Sequence, residues 1–175
     1  MGLFELFGMG AARADVPDAR APRLARADAF FQGQPLALLQ AALAGDGAQA
    51  RQLVAQGVDP NSHGPAAESK NVPQLTLLNY ATGVQNERAM AILLAVGADA
   101  LLKPRERDGD AFLFAIVRHD AKMLDVLFRL FPLARVPPKR KSDNAFAALR
   151  LGANDCVKVM FEHGMPPGIQ DSRHY

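Results

Sequence analysis

The sequence predicts an all-α fold, a stack of about four helix-turn-helix repeats. The first observation is an internal repeat: four segments align without gaps, and each carries a small residue at the same place. Those residues are Ala41, Ala81, Ala115 and Ala148, which stand 40, 34 and 33 residues apart. The second observation is that apolar residues in the second half of each segment have helical spacing. A repeat of about 33 residues indicates a solenoid, in which each unit buries its apolar face against its neighbours.

The start of each repeat carries a residue suited to begin a helix. Thr76, Asp110 and Asp143 occupy the same first position of the second, third and fourth repeats. A short side chain with an oxygen atom there can accept a hydrogen bond from the unpaired amides of the first turn. The first helix that follows is rich in small residues, which lets neighbouring repeats approach closely. We therefore expect a short first helix in each repeat.

A turn and a second helix complete each repeat. The turns fall around Gly45-Asp46, Gln85-Asn86, His119-Asp120 and Gly152-Ala153. The second helix closes at Gly57, Gly97 or Gly164, since glycine tolerates the left-handed conformation that ends a helix. In the third repeat Phe131-Pro132 stands there instead, so its closing turn must differ. The outer face of the fourth repeat is expected to be more polar than that of an interior repeat.

The second repeat resembles the ankyrin motif. Its opening, TLLNYA (76–81), is similar to the TPLHxA with which that motif begins, and its end, AILLAVGAD (91–99), is similar to LLxxGAD. The first repeat closes with GVDPN (57–61), similar to the family's GADPN. The resemblance covers residues 36–167 and implies one ankyrin-repeat domain over 23–175, a curved stack of helix pairs with finger-like loops. The repeats are expected at approximately 34–61, 74–100, 108–132 and 141–167.

Residues 1–22 are expected to form a flexible leader and linker. The first 14 residues have apolar character and end in Ala12-Arg13-Ala14, which is similar to an export cleavage site. However, Glu5 interrupts the apolar stretch and no Lys or Arg precedes it. We therefore expect a cytoplasmic protein, with export to the periplasm as the alternative. Residues 23–32 are expected to form an extra helix that covers the first repeat, with Leu24, Ala27, Phe30 and Phe31 as its apolar residues.

Composition narrows the class of protein. The chain has 175 residues, of which 49% are apolar and 22% charged, a balance typical of a globular protein and not of a disordered one. The 20 Lys and Arg against 18 Asp and Glu give a formal net charge of +2, too small to indicate nucleic-acid binding. No run approaches the ~18 apolar residues of a membrane span. We expect neither a nucleic-acid partner nor a transmembrane segment.

Residue types that often carry catalysis are scattered along the chain. No serine lies in a glycine-flanked turn of the hydrolase type, and His63, His119, His163 and His174 fall on different predicted elements. The single cysteine, Cys156, lies at an apolar position of a predicted helix and is interpreted as a core residue rather than a reactive thiol. We therefore expect no enzyme, no metal site and no cofactor.

Resemblance to ankyrin proteins implies partner contacts on the first helices and the loop tips. The variable helix positions are the two residues after the small pair: Leu43 and Ala44, Gly83 and Val84, Val117 and Arg118, and Arg150 and Leu151. Leu43, Val84 and Val117 would then form an apolar strip on the concave face. Such a strip is a candidate docking surface.

Two loops add basic residues near that face. Their cations are Lys103, Arg105 and Arg107 in one loop, and Lys139, Arg140 and Lys141 in the next. Neighbouring loop tips of a repeat stack lie side by side, so these side chains would join Arg118 and Arg150 in a basic rim. A rim of this kind would attract an acidic protein partner. The alternative is that the loop cations are simply solvated.

The sequence therefore predicts a protein-binding module that is monomeric when unbound. Its partner would be a protein, recognised through the concave face and the loops. The alternative is an immunity protein that neutralises a secreted bacterial toxin by tight binding, a hypothesis that rests on family resemblance and composition alone.

Overall fold

The fold is described by a computed structural model that covers residues 24–64, 74–105 and 108–166. Within these residues, eight α-helices form four helix-turn-helix pairs, which confirms the predicted all-α class. The helices are α1 (Gly33–Leu43), α2 (Gly47–Ala55), α3 (Leu77–Gly83), α4 (Glu87–Ala95), α5 (Ala111–Val117), α6 (Ala121–Leu130), α7 (Pro138–Leu151) and α8 (Asn154–Glu162). The expected leader and linker (1–22) and Arg107 lie outside the described residues.

The helices are arranged in two layers. The first helices of the pairs (α1, α3, α5 and α7) contact one another in chain order, and so do the second helices (α2, α4, α6 and α8). The core lies between the layers and contains large, fully buried side chains such as Leu38, Leu78, Met90, Phe112 and Leu124. Because each pair contributes only part of this core, the pairs stabilise one another.

Capping side chains begin five of the helices. The Thr76 hydroxyl accepts from the Asn79 amide at the start of α3, and the Asp110 carboxylate accepts from the Leu113 amide at the start of α5, as predicted. The second helices have caps at matching places, Asp46 for α2, Asn86 for α4 and Asp120 for α6. A cap of this kind contributes about 1 kcal/mol to stability.

The predicted start of the fourth repeat is wrong. Asp143 was expected to cap a helix, but α7 already begins at Pro138 and Asp143 lies inside it, paired with Lys139. The reason is the Pro137-Pro138 sequence, since proline is favoured in the first turn of a helix, where its missing amide costs nothing. The run Lys139-Arg140-Lys141 therefore lies on the first turns of α7 and not on a loop tip.

The turns between paired helices share one backbone conformation. Four residues after each buried alanine, the chain adopts a positive φ: Gly45 at 77°, Gln85 at 58°, His119 at 55° and Gly152 at 67°. The glycines predicted to close the second helices also have positive φ, Gly57, Gly97 and Gly164. The third pair closes differently, as expected, with Phe131 in an extended conformation.

Polar side chains join neighbouring pairs. These links are Asn86 Nδ2 to the Leu43 carbonyl (3.1 Å), Asn79 Nδ2 to the Gly109 carbonyl (3.1 Å), and His163 Nε2 with Asp125 Oδ1 (2.8 Å). The hydrogen bond from His163 lowers the pKa of Asp125. Each link adds to the apolar contact at its junction, so every junction has both apolar and polar components.

The outer face of the fourth pair is less polar than expected. One residue after the buried alanine, the first three pairs carry Ala42, Thr82 and Ile116, which are completely or almost completely buried. The equivalent Leu149 is 52% exposed, because no fifth pair lies on it in the part of the chain that is described. Phe161 is likewise 45% exposed.

Short extended and 3-10 segments complete the described fold. Strand β1 (His63–Gly64) pairs antiparallel with β2 (Leu75–Thr76), which leads directly into α3. The helix predicted over 23–32 is wrong: a single 3-10 turn, Ala27–Ala29, stands there. The turn contacts α1, and Ala25 and Phe30 on either side of it contact Tyr80 of α3, while its own backbone hydrogen bonds span only one turn.

The shared left-handed turn predicts opposite effects of two substitutions. Gly152→Ala should lower the free energy of unfolding by about 1 kcal/mol, because a Cβ is disfavoured at positive φ and no neighbour blocks the added methyl group. His119→Gly should raise it by about 0.5 kcal/mol, since glycine relieves the same strain at a small cost in chain entropy. Urea unfolding measures both; changes of the same sign would contradict the shared conformation.

Candidate functional site

In the loop that joins α4 to α5, one of the predicted cations is tied to a buried acid. Arg105 Nε lies 2.6 Å from Asp108 Oδ2, and a second nitrogen of the same guanidinium reaches Asp108 Oδ1 at 3.3 Å. Asp108 is only 2% exposed. This two-bond geometry holds the loop together. Arg105 therefore stabilises the loop and is not a free cation on a rim, which corrects its predicted role.

Arg140 makes a similar contact between two pairs. From α7 its Nη1 reaches Asp110 Oδ2 at 3.2 Å, and Asp110 is fully buried at the start of α5. Burial raises the pKa of Asp110, while the Leu113 amide, Arg140 and Lys103 act in the opposite direction. Arg140 thus compensates a buried carboxylate, and Lys103 adds positive potential nearby. Its predicted role on a rim is corrected: Arg140 stabilises the junction between the third and fourth pairs.

The other predicted cations have mixed surroundings. Lys139 is exposed and pairs with Asp143 on its own helix (2.9 Å), and Lys141 is half-buried on α7. Arg150 is exposed, with its guanidinium 5.9 Å from the centre of the Phe146 ring. Lys139 and Arg150 are therefore the predicted rim residues that present charge at the surface.

Arg118 is buried, contrary to its predicted place on the rim. Its guanidinium lies 5.6 Å from the centre of the Phe114 ring and donates to the Gly83 carbonyl at 3.4 Å. Burial lowers the pKa of Arg118, and the nearby Asp120 acts in the opposite direction. The side chain therefore bridges the second and third pairs.

The predicted apolar strip is not continuous. Val84 is exposed, but Leu43 is half-buried against the core and Val117 is only 2% exposed. Val117 was predicted to face a partner. It lies instead in the tightly packed junction of α5, where the neighbouring pairs cover it. Of the three residues, Val84 is the one left at the surface of the first helices.

A segment of the chain itself lies on that surface. Residues 24–31 (the 24–31 segment) cross α3, where the Tyr80 hydroxyl donates to the Ala25 carbonyl at 2.9 Å. The Phe30 and Phe31 rings lie 5.8 and 6.0 Å from the Tyr80 ring, centre to centre. Burial raises the pKa of Tyr80, and Asp28 acts in the same direction, so the phenol remains neutral and able to donate at physiological pH.

Gly83 provides room for the 24–31 segment. A Cβ at position 83 would overlap the Leu24 side chain and would lie 3.0 Å from Phe114 Cε1. Two residues after the buried alanine, the other repeats carry Leu43, Val117 and Arg150, all with side chains. The sequence signal was therefore present as a glycine at a variable position, but only the structure shows that Leu24 fills the space.

The histidine and cysteine residues are not brought together. Burial raises the pKa of the Cys156 thiol to about 12, so it is protonated at neutral pH. His163 pairs with Asp125 at a junction, and His119 forms a turn. Within residues 24–64, 74–105 and 108–166, no three His, Cys, Asp or Glu side chains are placed to share a metal ion. Among the same residues, no helix combines the length and apolar character needed to cross a membrane.

Two comparisons, with protein-family models and with curated proteins, give no relative from which to transfer a role. No protein-family model matches the chain, and no curated protein matches it significantly.

The ion pair between Arg140 and Asp110 predicts a large effect of one substitution. Arg140→Met should lower the free energy of unfolding by about 3 kcal/mol, because it leaves a buried carboxylate without its cation. Lys139→Met, one residue away, is the matched control and should change it by less than about 0.5 kcal/mol, since that pair is exposed. Equal losses in the two variants would refute the structural role of Arg140.

The same pair predicts a dependence on pH. The native pKa of Asp110 is raised, so its contribution to stability falls as the pH rises from 3.8 through the native value. Without Arg140 the native pKa rises further, and the ionised form becomes more costly. The loss caused by Arg140→Met should therefore be smaller at pH 4 than at pH 7. A loss that does not depend on pH would contradict this coupling.

Burial of Cys156 predicts an inert thiol. In the native protein at pH 8 it should react with an aromatic disulfide reagent at least about 100 times more slowly than in urea, because the thiolate is rare and the sulfur is covered. The absorbance of the released thiolate measures both rates. Rapid reaction in the folded state would show that Cys156 is accessible.

Proposed function

We propose that the chain is a non-enzymatic protein-binding module of the ankyrin-repeat type. In this proposal a partner protein is recognised by the face of the first helices and by the adjoining loops. The motifs in the second and first repeats support the family assignment, as do the matching caps and the shared left-handed turns. The short β1–β2 pair before α3 has the position expected of a finger loop.

One observation carries the proposed binding role. We call the surface around Tyr80 and Gly83 of α3 the first-helix face. It already accommodates a stretch of polypeptide, the 24–31 segment, through a hydrogen bond from the Tyr80 hydroxyl to a backbone carbonyl and through contacts between aromatic rings. Every residue has a backbone carbonyl, so this hydrogen bond from a tyrosine hydroxyl can form with any residue at that position of a bound peptide. The face therefore has the chemistry needed to hold another stretch of polypeptide, and Val84 beside it is exposed.

The charge of the partner follows from the cations that remain at the surface. Arg105, Arg118 and Arg140 act within the stack, which leaves fewer cations for a partner than the sequence predicts. Lys139 and Arg150 are exposed, and we propose that they accelerate the association of an acidic partner. Their reversal to Glu should then reduce the association rate more than it raises the dissociation rate.

A photo-crosslinking experiment tests the binding surface. A benzophenone amino acid replaces Val84 on the first-helix face or, as the matched control, exposed Ala95 at the end of α4. We expect one protein from the native lysate to be crosslinked from position 84 and not from position 95. Crosslinks from position 95 alone, or from neither position, would contradict the proposed surface.

The affinity for the crosslinked protein then separates the adaptor from the alternative function. A dissociation constant on the order of nanomolar or below would favour an immunity protein dedicated to one toxin. A micromolar constant would favour an adaptor, whose partners must dissociate during signalling. Titration calorimetry with the purified partner provides the value.

A further inference from the structure

We propose that the hollow at Gly83 is a pocket for an aliphatic side chain of a partner peptide, and that residues 24–30 are its internal occupant. The partner displaces these residues when it binds. This inference rests on the proposed function and deepens it, because it names both the peptide chemistry that the first-helix face selects and a contact that inhibits binding until it is displaced.

The hollow exists because one repeat lacks a side chain. At the position two residues after the buried alanine, the other pairs carry side chains, Leu43, Val117 and Arg150, whereas Gly83 leaves a space. Leu24 occupies that space, and Phe114 of the third pair forms its wall. A branched aliphatic side chain therefore fits the hollow, and a residue larger than glycine at position 83 would close it.

Tyr80 sets the register of the bound chain relative to the hollow. Its hydroxyl holds the carbonyl of Ala25, the residue directly after the leucine that fills the hollow. Its ring then contacts the ring of Phe30, six residues after the leucine. The pattern that the face selects is therefore a leucine-like residue followed six residues later by an aromatic residue. The backbone carbonyl that Tyr80 binds belongs to the residue directly after the leucine-like one.

Residues 24–30 are held weakly enough to leave. Their described backbone hydrogen bonds are local, such as Ala29 N to the Arg26 carbonyl, and the Arg26–Asp28 ion pair is exposed. In the part of the chain that the structure describes, the bond from Tyr80 is the hydrogen bond that joins them to the helices. Leu24, Ala27 and Phe30 pack against the core, but each remains only half-buried. A segment held by half-buried side chains opens at lower free energy than a core helix.

Phe31 marks the end of the displaceable part. It is 3% exposed, and the backbone at Phe30 packs closely on Gly64 of β1. The main chain is therefore anchored to the core from the Phe30 carbonyl onward, while residues 24–29 and the Phe30 side chain remain tethered close to the pocket. A tethered occupant competes at a high effective concentration, so it raises the apparent dissociation constant of any partner peptide.

The test uses the full chain and a labelled peptide, RLARADAFFQ, which copies residues 23–32. Leu24→Ser with Phe30→Ser vacates the pocket, since both side chains are only half-buried and Phe31 is retained. Fluorescence anisotropy should show at least about tenfold tighter peptide binding to this variant than to the wild type. Adding Gly83→Val should weaken binding at least about tenfold by filling the hollow.

Controls separate this inference from the proposed function. A peptide with Asp in place of the leucine should bind the vacated variant at least about tenfold more weakly. If the peptide does not bind the vacated variant, or binds equally after Gly83→Val, the pocket is refuted, while a crosslink from position 84 would still support the proposed function. If circular dichroism shows that the double variant is unfolded, Leu24→Ser alone replaces it and the same outcomes decide.

Discussion

The fold depends on the contact between one helix pair and the next, because no pair buries its apolar residues alone. The buried alanine of each first helix allows this contact, and the left-handed residue four positions later returns the chain so that the second helix lies against the first. The same two positions recur in all four described pairs. A side chain larger than alanine at this position would overpack the contact between pairs, which is costly in a dense core.

The junctions also explain why cations that the sequence predicts for a binding surface instead stabilise the fold. Asp110 caps α5 and is fully buried, and a buried carboxylate needs a compensating charge. Arg140 supplies it from the next pair. Arg118 crosses a junction in the same manner, to the carbonyl of Gly83. The requirement for stable junctions therefore takes two of the predicted rim residues, Arg118 and Arg140, and Arg105 is held within its own loop. The first-helix face is then the surface that we propose for recognition.

Periodicity predicted the fold class, the turn positions and two caps, because these depend on local sequence that recurs in each repeat. It could not predict the early start of α7, where two prolines override the repeat, or the burial of Val117, which depends on how closely neighbouring pairs approach. The 24–31 segment was recognised as a cover for the first repeat, but its path over α3 depends on contacts between residues about 55 positions apart, such as Ala25 with Tyr80. No local pattern encodes such a contact.

Amide hydrogen exchange of the intact protein tests the central claim most directly, that the first-helix face is a recognition surface occupied reversibly by the chain itself. The amides of Ala29 and Phe30 bond within the 24–31 segment, whereas that of Met90 lies in the core helix α4. If residues 24–30 leave the face by local opening, Ala29 and Phe30 should exchange on the order of 100-fold faster than Met90, after correction for intrinsic rates. Equal protection of all three would mean that the segment is an integral part of the fold and that the face is closed to a partner.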